Sequence, residues 1–453
     1  MNRSISRLAL ALALTAGVAG IGASPVIAQE VKISKGFRDT AVALQQAVKE
    51  AEANPTVTAA VERAKQARNA VTQARDDAAR SQAEAQLTAA RNEIDQAMGG
   101  MRSKLDSAMQ AATSADDRYF AGQMALSTGQ MMSDPALQKR GIDAMLASQK
   151  VAPESVAQFQ YYSGALAYDA RDYAGAQAGL QKAIDAGYNQ NDVQQLLSET
   201  YFANGQYAQG LQQLEKAIEA RKAAGGEVPA AWTFRGLGIA ANNGLNDQAY
   251  DWAMKVLESP ASAEQRTQAY RVVASLSQFT DEEELDLLRL MQRDNALSDR
   301  QQYMAYVYQA DARRRPAEVQ TVINSGVSSG MLDRNDASIA DALQQANTRR
   351  DPVLKELATD AVAARSQSSG SEALGIADIY LGYDKSQEAA ELYRLAIEKG
   401  GVDRDRALTG LGIALADQGM VTEAKDTFAQ IKTGNRSNLA RAWMAYLDSK
   451  ATS

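Results

Sequence analysis

The 453-residue chain contains no cysteine and no histidine. Those absences remove disulfides, cysteine nucleophiles, Ser-His-Asp triads and zinc sites built on thiolate or imidazole. Catalysis, if any, would fall to carboxylates, lysine, tyrosine or serine. Proline and phenylalanine are scarce, at 8 and 7 residues, a composition that favours helix over sheet when Ala and Gln abound. Positive charge is in the minority, 48 Lys and Arg against 55 Asp and Glu. No nucleic-acid partner is therefore expected, because a phosphate backbone demands clustered positive charge. With 45% hydrophobic and 23% charged residues, the chain has the make-up of a folded protein. Without disulfides its stability has to come from packing over a large apolar area.

One long uncharged run is present, at the start. Met1 to Arg7 carries two arginines, Leu8 to Ala23 reads LALALALTAGVAGIGA, and Ser24-Pro25-Val26-Ile27-Ala28 offers small residues at a cleavage point. This order predicts a signal peptide over residues 1–28, cut after Ala28, and a periplasmic location. The alternative is a membrane anchor, but the run is near the minimum spanning length and holds several glycines. No later segment reaches spanning length, so no integral membrane segment is expected in the mature chain.

Residues 29–115 form an Ala-rich helical region. From Thr56 to Asp134 there is no proline, and the composition predicts long helix. Val57, Ala64, Val71, Ala78 and Ala85 share one heptad position, with Ala60, Ala67 and Ala74 three residues on, which makes a narrow coiled-coil stripe. Gly99-Gly100 should break it. The stripe fits either a hairpin within the chain or a coiled coil that joins copies into a homo-oligomer. The hairpin is favoured, since alanine buries little area.

The remainder repeats. Tyr173, Ala176, Leu180, Lys182, Ala183 and Ile184 recur as Tyr207, Gly210, Leu214, Lys216, Ala217 and Ile218, each 34 positions later. A period of this length on helical sequence means stacked helix pairs. The pattern resembles the tetratricopeptide repeat family, with units at 157–190, 191–224, 370–404 and 405–436. A shorter one lies at 230–260 and a degenerate one from Arg118 to Pro153. The expected organisation is 116–365 as tetratricopeptide-like repeats, degenerate after 262, then a Ser-rich linker at 366–371. Repeats and a closing helix follow at 372–453. Thr280 before three glutamates reads as a helix cap, and Arg313-Arg314-Arg315-Pro316 as a solvated turn.

The resemblance implies an all-α, right-handed solenoid whose concave side, built from first helices, binds a protein or peptide, with no cofactor and no metal. Candidate groove residues are Tyr161, Tyr168, Asp169, Asp192, Gln195, Glu199 and Phe202. Aromatic anchors beside acceptors suit an extended or helical peptide, and replacing Tyr161 and Phe202 by alanine should then leave folding intact. The alternative for Tyr168 and Phe202 is packing against the neighbouring unit. Some family members clamp a terminal carboxylate with Lys, Arg and Asn, but the comparable places here hold Tyr161, Ala165, Gln195 and Glu199, and Glu199 would repel a carboxylate.

The chain therefore reads as a non-catalytic scaffold. Two other readings are a lytic-transglycosylase-like cell-wall enzyme, for which Glu154-Ser155 is the only comparable dipeptide, and an oligomeric coordinator of cell-envelope machinery.

Overall fold

The computed structural model describes residues 32–451; the expected leader, residues 1–28, lies outside them. Every regular element among the described residues is a helix. The chain divides into two compact units, one ending at Glu219 and the other beginning at Ala220.

Unit 1 opens with α1 (Arg38–Glu52), α2 (Pro55–Gln73), α3 (Asp77–Ala97) and α4 (Met101–Ala111). The long helix expected here is interrupted more often than composition suggested. Gly99 and Gly100 make the foreseen break, both at positive φ (65° and 73°), a conformation glycine adopts without penalty. An unforeseen break falls at residues 74–76, where the Asp76 carboxylate accepts from the Ala79 amide at 2.8 Å and caps α3. The chain turns back there. Val57, Ala60, Ala64 and Ala67 of α2 are buried together with Ala83, Leu87, Ala90 and Ile94 of α3, so the hairpin is made within the chain. Ala78 and Ala85, expected on the same seam, are exposed. The turn resets the phase, and a heptad count carried across it points at the wrong face.

Helices α1 to α4 share one apolar core with Phe120, Ala121, Ala125 and Leu137, which lie on α5 (Ala115–Met131) and α6 (Pro135–Ala147). Then come α7 (Pro153–Asp169), α8 (Tyr173–Asp185), α9 (Val193–Ala203) and α10 (Tyr207–Ala223). These make the pairs expected at 118–153, 157–190 and 191–224. Glycine sets their spacing. A Cβ on Gly164 would stand 2.7 Å from the Leu180 amide nitrogen, and one on Gly141 would stand 2.5 Å from that of Leu126. The backbones of α7 and α8, and of α5 and α6, approach too closely for any side chain at those points.

Unit 2 continues with α11 (Ala230–Asn242), α12 (Asn246–Glu258), α13 (Ala263–Leu276), α14 (Asp281–Arg293), α15 (Arg300–Ala310) and α16 (Pro316–Ser328). The stretch after 262 is thus helical, and it leads into one 30-residue helix, α17 (Ala337–Ser366). The pairs α18 (Ser371–Gly382) with α19 (Ser386–Lys399), and α20 (Arg404–Asp417) with α21 (Val421–Phe428), follow at the expected places. The segment read as a linker is tied down inside unit 2. The Gly370 amide donates to the Gly400 carbonyl at 2.9 Å, and the Lys399 ammonium donates to the carbonyls of Arg365 and Gln367.

The closing helix α22 (Gly434–Ala451) does more than cover one end. It packs against α12 and α14 as well as α20 and α21. Trp443 is fully buried and stacked on Phe428 at 5.8 Å, and the Tyr250 hydroxyl donates to the Asn438 carbonyl at 2.6 Å.

Candidate functional site

The expected groove on α7 and α9 keeps five of its seven residues near the surface. Asp169 and Asp192 are exposed, and Tyr168, Gln195 and Glu199 half-buried. Asp169 pairs with Arg68 of α2 at 2.7 Å, and the Gln195 amide donates to Glu199 at 3.5 Å. Tyr168 lies against Tyr173 at 5.9 Å between ring centres, so its ring packs within its own helix pair.

Tyr161 and Phe202 are not groove residues. Tyr161 is 1% exposed and stacks on Tyr188 with ring centres 4.7 Å apart; burial pushes its hydroxyl above the ordinary phenol range. Phe202 is 5% exposed, its ring lying over Gly210 of α10. One is needed to join α7 to the next helix pair and the other to close α9 on α10, so the expectation that both could be removed without cost is corrected.

The densest polar arrangement lies elsewhere, in unit 2. Asp286 and Arg289 are one turn apart on α14, and Arg289 donates through Nε and Nη2 to Glu318 of α16 at 2.7 and 2.8 Å and through Nη1 to Asp286 at 2.9 Å. Arg436 of α22 donates to the other Asp286 oxygen at 3.1 Å. The Tyr306 hydroxyl donates to Glu318 at 3.0 Å. Burial alone would raise the Glu318 carboxyl, but Arg289, with Arg315 and Arg293 behind it, outweighs that and holds it at about 2. At Asp286 the balance goes the other way. Burial wins over Arg289 and Arg436, and the carboxyl sits above its ordinary value.

Arg315 extends the network and corrects another expectation. The run Arg313-Arg314-Arg315 does form a turn, with Arg313 paired to Asp311 at 3.2 Å, yet Arg315 is only 4% exposed. Its Nη2 donates to Glu282 at 2.9 Å and stands 3.6 Å from Asp378. Asp378 also accepts from Tyr393 at 2.7 Å and from Arg406 at 2.5 Å. Thr280 caps α14 as expected, accepting from the Glu283 amide, while its neighbour Glu282 serves the network.

Beside this network is a cavity of about 390 Å³ lined by Arg289, Gln292, Arg293, Tyr306, Glu318, Thr321, Leu381, Gly382, Asp384, Ser386 and Asp417. Arg293 grips Asp417 with two bonds of 2.6 and 2.7 Å and lies over the Trp443 ring at 5.7 Å. Burial raises the Asp384 carboxyl, and the nearby Asp417 and Glu318 raise it further against the pull of Arg293 and Arg350. Sequence carried a faint signal for this centre. Asp286 and Arg289 interrupt the apolar run from Leu285 to Met291, where charges are out of place unless they meet partners.

Glu154, the residue a cell-wall enzyme would need, is exposed on the first turn of α7. Among the described residues no group of His, Cys, Asp and Glu is placed to hold a metal ion, and no helix is long and apolar enough to cross a membrane.

No protein-family model matches the chain, and no curated protein matches it in sequence. Among solved structures it is similar to Naa15/Naa10 bound to HypK-THB, at 15% identity and a TM-score of 0.34 over 89% of this chain and 63% of that one. It is also similar to the Cut9-Hcn1 hetero-tetramer of APC/C, at 14% identity and 0.23 over 74% and 68%. A human IFIT1 dimer with PPP-AAAA is similar at 14% identity and 0.20 over 80% and 87%. The chain spans less than two thirds of the first of these. Likeness at such TM-scores defines no family. The helix pairs themselves carry the fold: an all-α succession of antiparallel pairs that resemble tetratricopeptide units in their spacing and in the small residues at their contacts.

Proposed function

We propose that this chain is an exported, non-catalytic protein-binding scaffold that works in the periplasm. The supporting observation is that consecutive first helices, α7 and α9, keep polar and aromatic side chains at the surface, Asp192 exposed and Tyr168, Gln195 and Glu199 half-buried. Helices already locked by close glycine contacts present such a surface without ordering cost, which leaves the entropy of binding to the partner. The leader pattern at residues 1–28 supports export.

The enzyme reading is weaker because an exposed Glu154 is not held protonated in an apolar cleft, as a glycosidase acid must be. The oligomeric coordinator is weaker too, since the alanine seam that could join copies is spent inside the α2–α3 hairpin.

The test is a crosslinking pull-down of the mature chain from periplasmic and outer-membrane extract, with Gln195→Ala/Glu199→Ala as control. Recovery of a defined envelope protein by the wild type and its loss in the variant would support the scaffold. Muropeptide release from isolated cell wall by the pure chain would overturn the non-catalytic reading.

A further inference from the structure

We infer that the exposed face of α17 pairs with the same face of a second copy of this chain, the two helices running antiparallel about a two-fold axis at Ala358. Among the described residues few large apolar side chains are exposed, yet two of them, Leu354 at 38% and Val362 at 69%, stand on this one helix. From Asp351 to Ser366 the buried side chains are Leu357 and Ala364, and Pro352 interrupts the helical bonding ahead of them. Helices draw most of their stability from packing, and this half of α17 finds little of it within its own chain.

The order of residues on the face names the occupant. At about 3.6 residues per turn, Asp351, Leu354, Lys355, Ala361, Val362 and Arg365 all fall within about 60° of Ala358. Each is exposed save Ala361, which is half-buried. Their positions are symmetric about 358. In an antiparallel pair, Leu354 of each copy therefore meets Val362 of the other, and Asp351 of each meets Arg365, so two apolar contacts and two ion pairs close around the small Ala358.

Other arrangements lose this match. A parallel pair would set Asp351 on Asp351 and Arg365 on Arg365, like charge against like. A lipid surface would have to take up Asp351, Lys355 and Arg365 together with the apolar side chains. Arg365 makes an exposed pair with Glu391 at 3.4 Å, a contact weak enough to be shared with a second carboxylate. The α2–α3 seam takes no part in the pairing, and the scaffold reading stands or falls without it, because the pull-down variant changes only α9.

One helix-on-helix contact covers less than the roughly 1,200–2,000 Å² of a standard interface, so the dimer should be weak, with a dissociation constant of about 10–100 µM. Sedimentation equilibrium of the full mature chain should show monomer and dimer exchanging in that range. Val362→Glu should weaken the dimer by about tenfold or more. Asp351→Arg and Arg365→Asp should each weaken it too, and the double swap Asp351→Arg/Arg365→Asp should restore it. Because the chain has no cysteine, single thiols read the geometry. Under mild oxidation Ala358→Cys should crosslink to itself, and Leu354→Cys to Val362→Cys in preference to itself. A chain that stays monomeric well above that concentration range, a dimer indifferent to Val362→Glu, no rescue by the double swap, or Ala358→Cys that crosslinks in envelope extract to a different protein and never to itself would overturn the inference.

Discussion

Among the described residues of unit 1, the buried charged side chain is Asp117, whose carboxylate is held by the backbone amides of Ser34 and Ser114 at 2.9 and 3.2 Å. Unit 2 buries Glu283, Asp286, Arg289, Asp294, Arg315, Glu318, Asp378 and Arg436. Both units are built from antiparallel helix pairs, so the difference is one of filling. Where the facing residues are glycine and alanine, as in α5 to α8, the backbones close on each other and little room is left for polar groups. Where α14, α16, α18 and α22 turn long charged side chains to a common interior, each charge needs a partner there. A polar cavity lies beside the pairing network.

The largest effect that would sharpen this contrast is in unit 1. Tyr161→Ala and Phe202→Ala should each cost about 3–5 kcal/mol, the range for removing a buried aromatic ring. A chemical-denaturation curve that is unmoved by the pair would return both residues to the surface. In unit 2, Arg289→Met should cost a similar amount, about 3–5 kcal/mol, because it takes both charge-assisted bonds from the buried Glu318 and leaves Asp286 with Arg436 alone. Adding Glu318→Met, while Asp286 stays paired with Arg436, should recover much of that loss, and no recovery would mean that packing rather than charge balance sets the cost.

A third substitution probes the glycine contacts. Gly164→Val should cost about 1–3 kcal/mol by overpacking against the Leu180 backbone, whereas the same change at Gly238, inside α11 with no neighbour within 4 Å of a Cβ, should be neutral or slightly stabilising, because valine prefers helix more than glycine does. Thermal melts of the two variants separate the cases.

Acid separates the units more gently. Glu318 sits at about 2 in the fold against an ordinary 4.5, so its contribution is complete above about 4.5 and is lost as the pH falls toward 2. Asp286 and Asp384, whose carboxyls are raised, act in the opposite sense and soften the loss. Glu318→Gln should be less stable at neutral pH yet show a flatter decline through that window; a decline as steep as the wild type would place the acid sensitivity elsewhere. The smallest change should be Arg63→Ala, which breaks an exposed pair with Glu93 at 2.5 Å and is worth under about 1 kcal/mol.

Much of the helix order is legible in the amino-acid sequence. The 34-residue echo from Tyr173 to Tyr207 locates α8 and α10, and Ala183, Leu197 and Ala217 lie in the core as periodicity requires. Lys182 and Lys216, equally repeated, are exposed. The candidate groove is legible only in part, because a helix-A position tells that a residue is near the concave side but not whether the next helix pair covers it. Tyr161 is covered by Tyr188, which belongs to the turn between two repeats and follows no repeat pattern. The charge centre is almost invisible in sequence, since Asp286, Glu318, Asp378 and Arg436 are separated by up to 150 residues and, Asp286 excepted, each looks locally like an ordinary solvated charge.

Composition and periodicity by themselves determined the helical class, the pairing of neighbours and the absence of thiol or imidazole chemistry, because those depend on residue type and on spacing within one or two turns. Only the tertiary structure decided where α2 turns back, which aromatic rings are spent in the core and which charges meet. Those outcomes depend on which faces are brought together across long separations, and the burial that makes an Arg289 or a Tyr161 indispensable exists only once the neighbouring helices are in place.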